Sequence, residues 1–121
     1  MKIIDDFTRC WKEYYPMERL AWKARLLPGK KEEYVRLHDQ IWPEMTEALN
    51  AAGMHNYSIW CIGDELFGYI EAEKGIDFAL KEQAKSEAVL RWNECMKDIM
   101  IMETDPSTGE SVLLEQVFMH P

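Results

Sequence analysis

The stretch Glu33-Tyr34-Val35-Arg36-Leu37-His38-Asp39-Gln40-Ile41-Trp42-Pro43-Glu44-Met45 carries the helical rhythm around which the rest of the chain arranges itself. Tyr34, His38, Ile41, Met45 and Leu49 fall at the i, i+4, i+7 spacing of one buried stripe. The spacing predicts a helix that begins after Pro28-Gly29 and runs to about Ala52, where Gly53 supplies a stop. Pro43 interrupts it. Proline has no N–H and would clash with the carbonyl of Asp39, a cost of about 3 kcal/mol in a regular helix, so a bend is expected there. Two proton-carrying side chains, Tyr34 and His38, thus point with the apolar residues toward the interior, beside a bend. From periodicity alone two readings of His38 stand. It is a core histidine bonded to a carbonyl, or it is a proton carrier in a site.

Upstream of this helix, Leu20, Trp22, Ala24 and Leu26 alternate with Arg19, Lys23 and Arg25, which predicts a strand over Glu18 to Leu27. Before it, Ile3, Phe7, Cys10, Trp11 and Tyr14 mark an amphipathic helix ended by Pro16. That helix is expected to pack on the protein itself, because an exposed Trp and Phe would invite aggregation.

Downstream, Met54 to Ile62 reads as a second strand, with His55, Tyr57, Ile59 and Cys61 on one face and Asn56, Ser58 and Trp60 on the other. Gly63-Asp64 fits a two-residue hairpin turn with glycine first. Glu65 to Glu73 is the third strand, Leu66, Gly68, Ile70 and Ala72 facing one way and Phe67, Tyr69 and Glu71 the other. A helical region follows from about Asp77 to Met100, in two pieces meeting near Ser86. Val89, Trp92, Met96 and Ile99 form its buried stripe. Thr104 to Ser111 is a turn-rich loop, and Val112 to Met119 is expected to be the last strand.

The order strand, helix, strand, strand, helix, strand is the ferredoxin-like βαββαβ plan of an α+β protein. Residues 1–121 form one domain in this reading, with residues 1–17 as a helical extension. Helices cover one face of such a sheet. The other face needs a lid, and a second copy of the chain is the natural one, giving a homodimer.

Composition bounds the function from outside. A net charge of −8, from 22 acidic and 14 basic residues, argues against nucleic acid and anionic membranes, which need phosphate-neutralising cations. It does not weigh against a neutral small molecule. No apolar run approaches the roughly 20 residues needed to span a bilayer. Asp5 and Asp6 interrupt any signal-like start, so a soluble cytoplasmic protein is expected. Cys10, Cys61 and Cys95 are isolated and form no C-x-x-C pair, and His38, His55 and His120 lack metal-ligand spacing, so no metal site is expected. There is no glycine-rich phosphate loop.

Several segments together carry a specific resemblance. They are Glu33-Tyr34, His38 and Ile41-Trp42-Pro43-Glu44; then Gly53-Met54-His55-Asn56-Tyr57-Ser58-Ile59; then Arg91-Trp92, Met96, Asp98 and Ile99-Met100; and Glu115-Gln116-Val117-Phe118. This pattern, from about Arg19 to Pro121, resembles the L-rhamnose mutarotase family. No folding requirement demands His-x-x-Ile-Trp-Pro-Glu with His-Asn-Tyr downstream. The resemblance implies a ferredoxin-like subunit in a dimeric α+β barrel, and interconversion of sugar anomers without metal or organic cofactor. It makes His38 the principal acid–base group and Tyr34 a catalytic and sugar-binding partner. Tyr57 then reaches the same cavity from the second strand, and Trp92 offers an aromatic surface to the C–H face of the sugar. Family members often carry two adjacent aromatics after the arginine, whereas here Asn93 follows Trp92. Asn93 is therefore expected to bind substrate and tune which sugar is accepted. His55 and Asn56 either orient Tyr57 or bond backbone, and Trp42 with Pro43 shapes the bend.

The chemistry asked of such a site is modest. Opening a pyranose needs one proton removed from the anomeric hydroxyl and one placed on the ring oxygen, and closure reverses both. A histidine with an ordinary pKa of about 6.5 can give or take that proton near neutrality. Positioned acid–base groups contribute typically about 10²–10⁴-fold. Two other readings share the fold: a cofactor-free monooxygenase-like enzyme, which would consume oxygen, and a sugar-binding module without catalysis.

Overall fold

The computed structural model describes residues 17–121. The helix expected before Pro16 lies outside the described residues. The elements are β1 (Glu18–Leu26), α1 (Lys31–Asp39), α2 (Pro43–Ala51), β2 (Met54–Ile62), β3 (Glu65–Ala72), α3 (Ile76–Lys85), α4 (Glu87–Met96) and β4 (Met100–Met102). The four strands form one antiparallel sheet in the order β2-β3-β1-β4, with the helices on one face. No helix among the described residues is long and apolar enough to cross a membrane.

The expected bent helix is two helices. Trp42, the residue before proline, is extended at φ −62° and ψ 139°, and Pro43 opens α2. A pre-proline residue is pushed out of the α region, and proline's fixed φ suits the first helical position, where its missing N–H costs nothing. The chain therefore stops and restarts. Met45 and Thr46 N–H groups bond the Trp42 carbonyl. Tyr34 and Met45 are still buried together in the core, so the stripe survives the break. Gly53, at φ +73°, ends α2 in the left-handed region that only glycine enters without strain. Ser86 separates α3 from α4, and its hydroxyl accepts from the Val89 N–H at 3.3 Å as a helix cap.

β2 and β3 pair through Ile62 and Glu65 around a Gly63-Asp64 turn, with Gly63 at φ +59°. Leu66, Gly68, Ile70 and Ala72 face the helices, as their alternation predicts, and pack with Trp22, Ala24 and Leu26 of β1. β2 departs from simple alternation. A bulge between His55 and Ser58, with Asn56 at φ +47°, changes its phase. Met54 is buried and Tyr57 faces inward, while His55 turns outward to Glu73. The expectation that His55 shares a face with Tyr57 is corrected accordingly.

The last strand is also relocated. It was expected at Val112 to Met119. β4 is instead Met100–Met102, paired with β1 at Leu26 and Ala24. Farther along the same edge, Leu113 bridges Trp22, and the Leu114 N–H bonds the Ala21 carbonyl at 2.8 Å. Glu103 still bonds the Lys23 carbonyl; residues 104–111 leave the edge between these two pieces and are closed by a Thr104–Ser111 bridge. One edge strand is thus interrupted by a loop. Both pieces satisfy the free backbone groups of β1, which is what fixes them there. Val117 and Phe118 lie beyond the pairing and are 88% and 80% exposed.

The face away from the helices is mixed rather than simply apolar. Lys23 pairs with Glu65 at 3.2 Å and Glu103 at 3.1 Å, and Glu71 accepts from Asn56 and Tyr69. Trp60, Ile62 and Ile101 stand exposed among these polar groups.

Candidate active site

A cavity of about 870 Å³ opens between the helices and the inner face of the sheet. Its wall includes Tyr34 and His38 from α1, Tyr57 from β2, and Trp92 and Asn93 from α4. These are all five residues singled out from the sequence. Tyr34 and Trp92 are buried, His38 is half-buried, and Asn93 sits on an exposed turn of α4 at the rim. Trp42, expected to shape a bend, instead sits in the break between α1 and α2, where its ring meets Trp92.

The aromatic rings are arranged in contact order. The Tyr34 and His38 ring centroids are 4.2 Å apart, a result of i, i+4 spacing on α1. His38 meets Trp92 edge-on at 5.1 Å, and Trp92 meets Trp42 edge-on at 5.2 Å. The guanidinium of Arg91 lies over the Trp42 ring at 5.8 Å. Such edge-to-face contacts suit the quadrupoles of the rings and hold each in one orientation.

His38 Nδ1 lies 2.8 Å from the Tyr34 carbonyl oxygen. A carbonyl only accepts, so Nδ1 carries the proton and donates it. In the neutral imidazole, Nε2 is then left with its lone pair. The carbonyl-bonded histidine and the proton carrier, two alternatives on periodicity alone, are compatible in one residue. The backbone bond sets the tautomer and leaves the second nitrogen available as a base.

The phenols are held neutral. Burial pushes the Tyr34 hydroxyl far above its ordinary range, and the Tyr57 phenol and Cys61 thiol add to the effect. Tyr57 is 38% exposed overall, yet desolvation of its hydroxyl also raises its pKa, opposed by a hydrogen bond that the Trp22 indole donates at 3.1 Å. Neutral phenols beside a basic imidazole nitrogen provide donors and an acceptor in one apolar-walled space. That combination suits a small neutral polyhydroxyl compound, with aromatic walls for its C–H faces and few points of fixed polarity.

His55 and Asn56 do not line this cavity. Their side chains bond Glu73 at 2.9 Å and Glu71 at 2.7 Å, outside it. Trp22 is the residue that sequence reasoning left as plain strand core although it lines the cavity and bonds Tyr57. The alternation of β1 placed it on the inner face. Its partner became visible only with the strand register. Among the described residues, no group of three or more His, Cys, Asp or Glu side chains gathers as a metal-binding set.

The model of the L-rhamnose mutarotase family matches residues 19–120. An L-rhamnose mutarotase of Listeria monocytogenes is 42% identical over 106 residues, which span 84% of this chain and 97% of the relative. One from Burkholderia orbicola is 36% identical over 97 residues, spanning 80% of this chain and 93% of the relative. The crystal structure of an L-rhamnose mutarotase from Formosa agariphila is similar with a TM-score of 0.68 at 34% identity, covering 86% of this chain and 99% of that one.

Proposed function

The chain belongs to the L-rhamnose mutarotase family, and from that premise we propose that it interconverts the α and β anomers of L-rhamnose in the cavity between α1, α4 and the sheet. The observation that supports this most directly is the fixed tautomer of His38 inside that cavity. His38 Nε2 takes the proton from the anomeric hydroxyl. As the bond from the anomeric carbon to the ring oxygen breaks, the electrons of the former O–H bond form the aldehyde, and the Tyr34 hydroxyl protonates the ring oxygen. The imidazolium and phenolate formed together are neighbours, with ring centroids 4.2 Å apart, so their charges attract in a poorly solvated space. The aldehyde turns about its bond to the next carbon. Closure on the opposite face returns both protons, and the enzyme ends as it began. No electrons are exchanged with a cofactor at any step.

Tyr57 and Asn93 bond hydroxyl groups of the sugar in this reading, and Trp92 packs against its C–H face. The protein works as a cytoplasmic homodimer whose two sheets pack through their outer faces as an α+β barrel, a reading supported by Trp60 and Ile62, 69% and 68% exposed on one strand. In this reading no catalytic group comes from residues 1–16, which lie outside the described residues.

The test is anomer exchange of L-rhamnose followed by magnetisation-transfer NMR, with and without protein. Acceleration that depends on His38 is the expected result. Binding of both anomers without acceleration would identify a sugar-binding module instead, and oxygen consumption with an aromatic substrate would identify an oxygenase.

A further inference from the structure

The hydrogen bond between Trp22 and Tyr57 is not used in the chemistry above, and it is an unusual one to build. Trp22 is on β1 and Tyr57 on β2, and these strands are not neighbours, because β3 lies between them. Adjacent strands are about 4.8 Å apart, so a β1 side chain must cross roughly 10 Å of sheet to reach β2. It can do so only over a residue of β3 that has no side chain. Gly68 is that residue. It is paired with Trp22 on one side and Ile59 on the other. A Cβ at Gly68 would overlap Cε2, Cζ2 and Nε1 of the Trp22 indole. Gly68 is not among the glycines with positive φ, so what it supplies is space rather than conformational freedom. The β2 bulge completes the arrangement by turning Tyr57 inward.

The direction of this bond matters. An indole N–H can only donate, so the Tyr57 oxygen accepts, and the tyrosine's own proton must point elsewhere. The cavity is where it can go. We propose that Trp22, seated over Gly68, is a positioning residue of the mutarotase reaction that holds the Tyr57 hydroxyl as a hydrogen-bond donor to the sugar. This rests on the reading of Tyr57 as a substrate contact. As the anomeric hydroxyl gives its proton to His38, its oxygen gains electron density, so a Tyr57 donor aimed at that oxygen is stronger in the transition state than in the ground state. Its loss should lower kcat and leave KM nearly unchanged.

The experiment compares Trp22→Phe, Tyr57→Phe and the double variant, using the full chain and anomer exchange at varied L-rhamnose concentration. Each single change should reduce kcat by roughly tenfold, as expected for one hydrogen bond. The double variant should be no worse than Tyr57→Phe, because Trp22 acts only through Tyr57. Gly68→Ala should match Trp22→Phe. Losses that multiply in the double variant would show that Trp22 acts by packing, and would overturn the proposal. A full effect of Tyr57→Phe with none from Trp22→Phe would overturn the positioning role and leave Tyr57 as a substrate contact. No effect from Tyr57→Phe would remove the reading of Tyr57 and this proposal with it. If Trp22→Phe does not fold, the indole N–H resonance of Trp22 decides the matter. It must move upfield in Tyr57→Phe, and an unmoved resonance overturns the bond.

Discussion

Two tryptophans on the same sheet show how its faces differ. Trp22 is 8% exposed and Trp60 is 69% exposed. Each donates its indole N–H, Trp22 to Tyr57 at 3.1 Å and Trp60 to Ser58 at 3.0 Å. The first bond joins residues 35 apart and crosses a strand; the second stays on its own strand, two residues away. On the inner face, polar groups are few and the cavity uses them. On the outer face, Lys23 pairs with Glu65 and Glu103, and Glu71 accepts from Asn56 and Tyr69, so these side chains bond one another along the sheet. Chemistry should therefore respond to changes on the inner face, and assembly to changes on the outer face.

The largest expected effect is that of His38→Ala. Removal of the acid–base group should reduce anomer exchange by about 10² or more. Thermal stability should change far less, since His38 is only half-buried. Exchange measured by NMR beside a thermal melt checks both. A folded variant with unchanged exchange would falsify the assignment.

Tyr34→Phe should cost less than His38→Ala, at the lower end of the roughly 10²–10⁴-fold range for an acid–base group, because the ring remains and the hydroxyl that protonates the ring oxygen is lost. It also carries a signature in pH. Burial raises the Tyr34 phenol in the folded state. The stability linked to its proton is complete below the unfolded phenol pKa, about 10, and is lost as pH rises from there toward the folded value. Wild-type stability should thus fall above about pH 10, by up to about 1.4 kcal/mol per pH unit from this group, and Tyr34→Phe should flatten that limb. Denaturant melts from pH 8 to 11 give the answer. Parallel alkaline limbs in the two proteins would show that the phenol is not buried as described.

Much of the inner face was legible from the chain alone. The Tyr34, His38 and Met45 stripe, the Val89, Trp92, Met96 and Ile99 stripe, and the Gly63-Asp64 hairpin are local patterns with one dominant solution. The misreadings depend on partners distant in sequence. The β2 bulge exists because β3 sets the register, so His55 and Tyr57 parted although they alternate correctly on paper. The edge strand is split around residues 104–111 because two short segments share one strand edge, and neither alone has a persuasive pattern. The Trp22 and Gly68 pair is invisible until β1 and β3 are aligned. The break at Pro43 is a closer case. Pre-proline and first-position preferences both pointed to a restart, while the continuous apolar stripe suggested a bend.

Asn93 tests how far the inner face extends. It is on the rim of the cavity rather than on its floor. Asn93→Trp should reorder sugars without abolishing exchange, by roughly five- to tenfold between L-rhamnose and sugars bearing an extra hydroxyl, the lower end of the about 1–3 kcal/mol that one small group in a pocket is worth, because Asn93 is at the rim. Competition assays over a panel of pentoses and hexoses measure it. An unchanged ranking would place Asn93 outside the substrate's reach.

The smallest expected effect on exchange comes from the outer face. Trp60→Glu adds a charge where the proposed second copy would pack, and unpaired charge is costly in a buried interface. Light scattering at micromolar concentration should then shift from a dimer toward the 14.3 kDa subunit. Exchange per folded subunit should stay within about twofold of wild type, because the residues proposed to carry the chemistry line a cavity within one chain. The two readouts separate cleanly. A monomer in both proteins would remove the homodimer and leave the chemistry untouched. A dimer in wild type whose dissociation abolished exchange would mean that the outer face supports the cavity through the sheet, and that the two faces are coupled rather than independent.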